Sequence, residues 1–204
     1  SSGLLSCKRR EGGENEKDVL TGEEAEKKEG AADWEKDLED VRFGIAVKGF
    51  QKVVELLNLQ PGMTGPEVQA HVKELTKATK LSALKHMKEG GGDFSEVAAY
   101  IKDPTIFLSH CWQFTLQDIM ESLDELDEDE VVWFDLFTVP QNEDPSKPPK
   151  PFSWWSSTFF KNVERIGKVV MVMKPITKPI TLTRAWCVFE LYACIATKSG
   201  FDVA

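Results

Sequence analysis

The chain has 204 residues, of which 41% are hydrophobic and 29% are charged, enough for one domain with an extension or for two small domains. Its longest uninterrupted aliphatic run spans five residues, 169–173, whereas a membrane-spanning helix needs about 18 or more, so no membrane span is predicted. The 25 basic and 34 acidic residues give a formal net charge of −9. Because a protein that binds a phosphate backbone carries the opposite charge, nucleic acid is not expected as a partner.

Cysteine usage and the start of the chain predict an intracellular, cytoplasmic protein in a reducing compartment. The four cysteines form no CxxC pair, and the chain does not start with a basic segment, an apolar run and a small-residue cleavage site. The histidines are far apart in the sequence, so no metal site is predicted; they are His71, His86 and His110. Because neither a GxxxxGK[ST] nor a GxGxxG motif is present, no nucleotide cofactor of those types is predicted.

Residues 1–40 are expected to form an acidic tail. They hold 7 basic and 13 acidic side chains, a net charge of −6, and their apolar residues follow no helical or strand period. Such a segment buries too little apolar surface to offset the entropy lost on ordering, so we predict disorder or a solvated helix. Its role is either that of a solubilising leader or that of an acidic docking tail.

Residues 41–102 carry the patterns of helices. Apolar side chains recur three or four positions apart over residues 43–57, as on one face of an amphipathic helix. A capping box at Thr64 and Glu67 predicts the start of a second helix. The glycine run 90–92 predicts a break before a short last helix. We therefore expect three or four helices that form a small all-α bundle or a cap on the part of the chain that follows.

The second half of the chain, residues 103–204, alternates between strand-like and helix-like segments. The strand-like segments are short and apolar and comprise residues 105–111, 131–137 and 168–173. The helix-like segments comprise residues 114–126, 154–166 and 184–197. Strands that are apolar along their whole length, alternating with helices, are typical of right-handed βαβ units around a buried parallel sheet. The predicted fold class is therefore α/β, with about three strands and residues 201–203 left to begin a fourth.

Ligands of an open parallel sheet bind beyond the carboxyl ends of the strands, where loops and helix amino termini converge. In this sequence those positions hold polar and aromatic side chains that could line one crevice: Ser109, Trp112, Asp135, Gln141, Asn142 and Arg184. Glu190 comes about one and a half turns into the last predicted helix and is expected to face the same crevice. His110 beside Cys111 suggests a Cys-His nucleophile, but adjacent residues of a strand point to opposite faces, which disfavours this pairing.

The last helix contains the sequence Trp-Cys-Val-Phe-Glu-Leu at residues 186–191. This sequence resembles the Trp-Cys-x-x-Glu-Leu motif of Toll/interleukin-1 receptor (TIR) domains in plant immune receptors. The strands at 106–109 and 132–135 also resemble strands of TIR domains. The resemblance covers roughly residues 104–204 and implies a flavodoxin-like sheet with helices on both faces. Because a TIR domain has five strands, it also implies that the TIR-like domain of this chain is incomplete.

In the TIR family, the glutamate of this motif is the catalytic residue of an NAD-cleaving activity, so the resemblance implies that Glu190 is catalytic. It also implies that residues 139–152 correspond to the mobile loop that gates the site, with Gln141, Asn142 and Trp154 as its candidate residues. Position suggests a further set of substrate-binding residues, namely Ser109, Trp112, Asp135, Arg184 and Trp186. No cofactor is implied, since NAD would be the substrate.

A single carboxylate is sufficient for this chemistry. Cleavage of the bond between nicotinamide and ribose builds oxocarbenium-like charge on the sugar, and nicotinamide leaves as a neutral base, so no general acid is needed. The helix amino terminus is expected to keep Glu190 ionised, and Arg184 could pair with the pyrophosphate. In the alternative interpretation Glu190 is structural. The fold then serves homotypic or heterotypic protein assembly, as an interaction module or as a subunit of a larger complex.

Overall fold

A computed structural model describes residue 39 and residues 41–90, 94–142 and 149–204. The predicted acidic tail apart from Glu39, part of the glycine run and part of the predicted gating loop lie outside these residues. The strands are β1 (Gly44–Ala46), β2 (Ile101–Lys102), β3 (Ile106–Ser109), β4 (Val131–Trp133), β5 (Lys168–Met171) and β6 (Gly200–Val203). The helices are α1 (Val47–Leu56), α2 (Gly65–Leu75), α3 (Ala83–Gly90), α4 (Ser95–Ala98), α5 (Leu116–Leu123), α6 (Asp135–Thr138), α7 (Phe152–Ile166) and α8 (Ala185–Thr197), with a 3₁₀ helix at Ile180–Thr183.

The strands of the described residues form one sheet in the order β2-β1-β4-β3-β5-β6. Strands β4, β3, β5 and β6 run parallel to their neighbours, whereas β1 pairs antiparallel with both β2 and β4. The fold is therefore α/β, as the alternation of segments predicts, and its sheet is mostly parallel.

Side chains of the central strands alternate between two apolar cores, one on each face of the sheet. Leu108 and Val170 belong to a core that they share with buried residues of α1 to α5. Phe107 and Trp133, whose rings stack 4.7 Å apart, belong to the second core, with buried residues of α7 and α8. Helix α5, which follows β3, and helix α8, which follows β5, thus cover opposite faces. The connections that follow the neighbouring strands β3 and β5 therefore leave toward opposite faces of the sheet.

The expectation that residues 41–102 are all helical is wrong, because two strands at one edge of the sheet lie in this range. Strands β1 and β2 lie in this range, pair with each other and join the sheet through β4. The first helix starts at Val47, because the residues just before it are buried in strand β1. Strands of two or three residues are too short to show an alternation of apolar and polar positions, so tertiary pairing alone defines them.

The expectation of about three strands is one too few, because the fourth strand, which residues 201–203 were expected only to begin, is formed. Gly200–Val203 form β6, which pairs with β5 over its whole length, so the described sheet contains four parallel strands in addition to β1 and β2. The predicted strand 131–137 ends early, since β4 stops at Trp133 and the short helix α6 follows at Asp135. Periodicity does not separate a buried strand from a buried helical turn in so short an apolar run.

Local signals define the ends of the helices near the strand ends. Helix α2 begins after Thr64, whose backbone N–H donates to the Glu67 carboxylate over 2.7 Å, as the predicted capping box requires. Helix α7 ends at Gly167, whose φ of 75° lies in the left-handed region that glycine adopts without strain. None of the helices among the described residues is long and apolar enough to cross a membrane.

Candidate functional site

The carboxyl end of β3 contacts the inner face of α8. This contact lies where the connections after β3 and β5 leave toward opposite faces of the sheet. Ser109, the last residue of β3, is fully buried, and Glu190 is a buried residue of α8. The Ser109 hydroxyl donates a hydrogen bond to Glu190 Oε2 over 2.5 Å. Two residues that are 81 positions apart, and that the sequence predicts to line one crevice, are therefore in direct contact.

Glu190 is closed off from solvent in this arrangement. Only 6% of the residue is exposed. Burial raises the pKa of its carboxyl to about 8, an effect that the hydrogen bond from Ser109 opposes and the charge of Asp135 reinforces. Burial therefore favours the protonated, neutral form of Glu190. The expectation of an ionised Glu190 at an open crevice is wrong here, because the loss of water outweighs the helix dipole.

Cys187 lies one turn before Glu190 on α8. Its thiol donates to the backbone oxygen of His110 over 3.2 Å, and burial raises the pKa of the thiol to about 12. Only the thiolate is nucleophilic, so Cys187 is inert in this arrangement. The contact instead ties α8 to the residue that follows β3.

A second group of polar side chains lies beyond the end of β4. Asp135, the first residue of α6, accepts a hydrogen bond from Trp112 Nε1 to its Oδ2 over 2.8 Å. Its other carboxylate oxygen, Oδ1, lies 3.5 Å from Nε2 of the buried His110 ring. The His110 ring also packs on Phe134, with centroids 4.7 Å apart. Asp135 thus joins the loop after β3 to the helix after β4.

Several polar atoms of this region are buried without a hydrogen-bond partner, although His110 Nε2 and Asp135 Oδ1 face each other over 3.5 Å. Within the described part of the chain they are His110 Nε2, Asp135 Oδ1 and Thr138 Oγ1. Most buried polar groups in folded proteins are hydrogen-bonded, so unpaired ones need an explanation such as a bound water or a ligand.

A small cavity of about 10 Å³ lies beside His110 and Trp112. Apolar side chains such as Phe134 and Leu136 form much of its lining, and Gly65 of α2 contributes to it. A space of this volume holds about one water molecule. It is therefore too small for a substrate, and Glu190 is not part of its lining.

The first residues of the predicted gating loop are anchored to the rest of the molecule. Gln141 Nε2 donates to the backbone oxygens of Asp135 and Val139 over 3.2 and 3.0 Å. The side-chain oxygen of Gln141 accepts a hydrogen bond from Gln69 Nε2 of helix α2 over 2.9 Å. Gln141 therefore bridges α2 and α6.

The other two candidate loop residues lie at opposite ends of the loop. Asn142 Nδ2 donates to the backbone oxygen of Lys73, on α2, over 2.8 Å. Trp154 is part of α7, where its ring packs edge-on against Trp155 with centroids 4.7 Å apart. Residues 143–148, between them, lie outside the described part of the chain.

Two of the predicted substrate-binding residues lie away from the Ser109–Glu190 contact. Arg184 is exposed at the amino terminus of α8. Trp186 is 39% exposed and packs against Phe152 and Phe159 of α7, with ring centroids 5.4 and 5.7 Å away. The other predicted residues form two hydrogen-bonded pairs at the strand ends, Ser109 with Glu190 and Trp112 with Asp135, and the charge of Asp135 acts on Glu190.

The structure adds residues to this group that sequence reasoning left aside. The signal for His110 is its place directly after β3, and the signal for Cys187 is its place one helical turn before Glu190. For Gln69 the sequence carries no signal, because its contact with Gln141 joins positions 72 residues apart and depends on how α2 packs.

Known proteins and metal chemistry add no further assignment. Among the residues that the structure describes, no group of three or more histidine, cysteine, aspartate or glutamate side chains is arranged to hold a metal ion. Comparisons of the chain with protein-family models, with curated proteins and with solved structures give no match. We therefore infer function from the motif at residues 186–191 and from the geometry of the strand ends.

Proposed function

We propose that the chain contains a TIR-like domain of the flavodoxin-like type, which cleaves NAD or a related dinucleotide with Glu190 as its catalytic residue. The observation that carries this proposal is the hydrogen bond between Ser109 and Glu190 at the divergence of β3 and β5. Open α/β sheets bind ligands where neighbouring strands send their connections to opposite faces. The parallel strands, numbered along the chain, lie in the order 2-1-3-4, which supports the flavodoxin-like assignment.

Glu190 can supply the negative charge that the reaction needs. As the bond to nicotinamide breaks, positive charge develops on the ribose, and a carboxylate held beside the sugar stabilises it. Ser109 holds the Glu190 carboxyl in one orientation at the end of β3. Trp112 and Asp135 add an aromatic face and a second acidic group at the end of the next strand.

The closed site must open before this reaction. With 6% of Glu190 exposed, its carboxyl does not reach a ribose in solution, and its raised pKa favours the neutral form. Movement of the side chains that cover Glu190 would admit the sugar. It would also rehydrate the carboxyl and lower its pKa, since desolvation is the largest cause of the shift.

Release of nicotinamide tests this proposal. The purified chain is incubated with NAD over a range of protein concentrations, and nicotinamide is quantified by chromatography. We expect release by the wild type and a loss of about 100-fold or more in Glu190→Gln, which keeps the size of the side chain but removes its charge. Glu164→Gln, at an exposed position of α7, is the matched control and should keep the wild-type rate. Equal release from Glu190→Gln, or none from the wild type at any concentration, would contradict the proposal.

The outer surface of α7 and α8 supports a second candidate function, protein assembly. Phe152, Trp186 and Tyr192 are 71, 39 and 59% exposed. Together with Phe189 they form a continuous row of rings whose neighbouring centroids lie between 5.4 and 6.3 Å apart. Exposed aromatic rows are typical of protein interfaces, so this surface favours homotypic or heterotypic assembly.

Sedimentation velocity tests the assembly function separately from the chemistry. We expect Tyr192→Ser to weaken self-association or partner binding, because it removes an exposed ring from the row. Leu56→Ser, at an exposed apolar position on α1, is the control. Assembly should be unchanged in Glu190→Gln. Assembly that is equally strong in Tyr192→Ser and in the wild type would rule out this surface.

We also propose a cytoplasmic location. Within the described residues the cysteines are Cys111, Cys187 and Cys194, and all of them are free and buried. Free thiols are typical of proteins in a reducing compartment.

A further inference from the structure

Helix α2 contacts both sides of the strand-end site, although sequence reasoning assigns it to a separate helical segment. Its first residue, Gly65, contacts Trp112, and Gln69, about one turn later, contacts Gln141. Trp112 and Gln141 each hold Asp135, the first through its carboxylate and the second through its backbone oxygen. Two independent paths therefore lead from one helix to one residue, Asp135.

The first path runs through Trp112. The backbone N–H of Gly65 donates to the backbone oxygen of Trp112 over 2.9 Å. A Cβ atom at position 65 would lie only 2.7 Å from Trp112 Cβ, so a glycine is needed for the helix to approach this closely. Trp112 is thereby held where its Nε1 reaches Asp135.

The second path runs through Gln141 and depends on the direction of its amide. Gln141 uses its Nε2 to donate to the backbone oxygens of Asp135 and Val139, which leaves its Oε1 as an acceptor. Gln69 Nε2 donates to this oxygen. A donor at position 69 therefore fixes the orientation in which Gln141 can bind α6.

The end of α2 strengthens the second path. Asn142 Nδ2 donates to the backbone oxygen of Lys73 and also to Oγ1 of Thr76, over 2.9 Å. Thr76 is fully buried, and its hydroxyl donates to the backbone oxygen of Val72. The residue after Gln141 is thus bound to the same helix.

We propose that α2 is a positioning element for the strand-end site and that Gln69 is a positioning residue. Gln69 acts through Gln141 to hold Asp135 beside His110, whose backbone oxygen accepts the hydrogen bond of the Cys187 thiol, and so keeps the site closed around Cys187. This role rests on the proposed function only for the identity of the substrate. It assigns to residues 41–102 a task in the site, in addition to their place in the sheet.

Alkylation of buried thiols measures opening of the site without any substrate. Cys111 and Cys187 lie beside the site, whereas Cys194 lies in the core beneath α7 and α8. Each thiol reacts with iodoacetamide only when its surroundings open, and mass spectrometry of peptides gives a separate rate for each. The ratio of the Cys187 rate to the Cys194 rate therefore reports local opening, with Cys194 as the internal reference for global unfolding.

The variants separate the donor at position 69 from the bulk of its side chain. Gln69→Glu has nearly the same shape as the wild type but lacks the donor, and Gln69→Lys keeps a donor on a side chain of sufficient length. Gln51→Glu is the matched control, since Gln51 is exposed on α1 and contacts only Glu55 of its own helix among the side chains described.

We expect Gln69→Glu to raise the ratio of Cys187 to Cys194 alkylation about three- to tenfold, as the loss of one hydrogen bond from the closed state predicts. Gln69→Lys should restore the wild-type ratio, and Gln51→Glu should leave it unchanged. An unchanged ratio in Gln69→Glu, or a parallel rise for Cys194, would overturn the proposal. Because this assay uses no NAD, absence of nicotinamide release would contradict the proposed function and leave the positioning role intact.

Discussion

Glu190 has two properties that oppose each other. Its place beside Ser109 at the end of β3 is where a ligand of this sheet would bind, but burial raises its pKa and favours the neutral carboxyl. A neutral carboxyl packs under α8 without the cost of a buried charge, whereas only the carboxylate stabilises a cationic sugar. The residue must therefore change its protonation state between the resting and the reacting forms of the site.

The raised pKa of Glu190 predicts a loss of stability as pH rises. Its carboxyl has a pKa near 4.5 when unfolded and about 8 when folded, so the folded state binds more protons between these values. Its contribution to stability is therefore fully present below pH 4.5 and is lost as pH rises through 8. The full difference corresponds to a free energy on the order of 5 kcal/mol.

Glu190→Gln should remove this dependence, because glutamine does not titrate. Urea unfolding of both proteins from pH 5 to pH 9 measures the effect. We expect Glu190→Gln to gain stability relative to the wild type as pH rises. Glu164→Gln should not show this gain. A difference in unfolding free energy between Glu190→Gln and the wild type that stays constant with pH would show that Glu190 is not buried in its neutral form.

Ser109→Ala should destabilise the protein and raise the pKa of Glu190 further. Ser109 is fully buried and its hydrogen bond lowers the pKa of Glu190, so its loss leaves the carboxyl without this partner at a cost of about 1–3 kcal/mol. Ser122→Ala is the matched control, since Ser122 is also buried but donates only to the backbone of its own helix. Equal unfolding free energies for the two variants would contradict the importance of the Ser109 contact.

At the scale of elements, strand β1 and helix α1 depend on a close approach at Gly49. A Cβ atom there would overlap with Cβ of Tyr100, next to β2. We expect Gly49→Ala to lower the free energy of unfolding by about 1–3 kcal/mol through overpacking, although alanine favours a helix by about 1 kcal/mol. Gly62→Ala, where an added Cβ meets nothing within 4 Å, is the control in urea unfolding. A stabilised Gly49→Ala variant would show that this packing is loose.

Elements with a strong signal in their own segment could be predicted from the sequence, and elements embedded in a segment of another type could not. The predicted helix 184–197 is found at Ala185–Thr197, and the predicted start of β5 at Lys168 is confirmed. Strands β1 and β2 were missed because they lie within a range that carries helical patterns, and helix α6 was missed because it lies within an apolar strand-like run. A period needs more residues than these elements have.

At the scale of the whole molecule, residues 41–102 and 103–204 share one sheet and one core. Strand β1 lies between β2 and β4, and the side chains of α1 to α5 pack together on one face. This arrangement brings α2 within hydrogen-bond distance of the loop after β4. The role of α2 at the strand ends follows from that packing.

The candidate site could be predicted only in part, because some of its features depend on how the whole chain packs. The rule that ligands bind at strand ends identifies Ser109, Trp112 and Asp135 from the order of segments alone, and the motif at 186–191 identifies Glu190. The closed state of Glu190 and the contact of Gln69 depend on which side chains exclude water and which helices meet. Neither property is encoded in spacing along the chain.

The dependence of nicotinamide release on pH tests the central claim most directly. The profile of kcat/KM reports the pKa of essential groups in the free enzyme, and the essential group here is Glu190, whose pKa is raised to about 8. We predict that kcat/KM rises about tenfold per pH unit below 8, levels off above it, and is lost in Glu190→Gln. A profile that stays flat from pH 6 to pH 9, or a Glu190→Gln variant with the wild-type profile, would contradict the claim that this buried carboxyl performs the reaction.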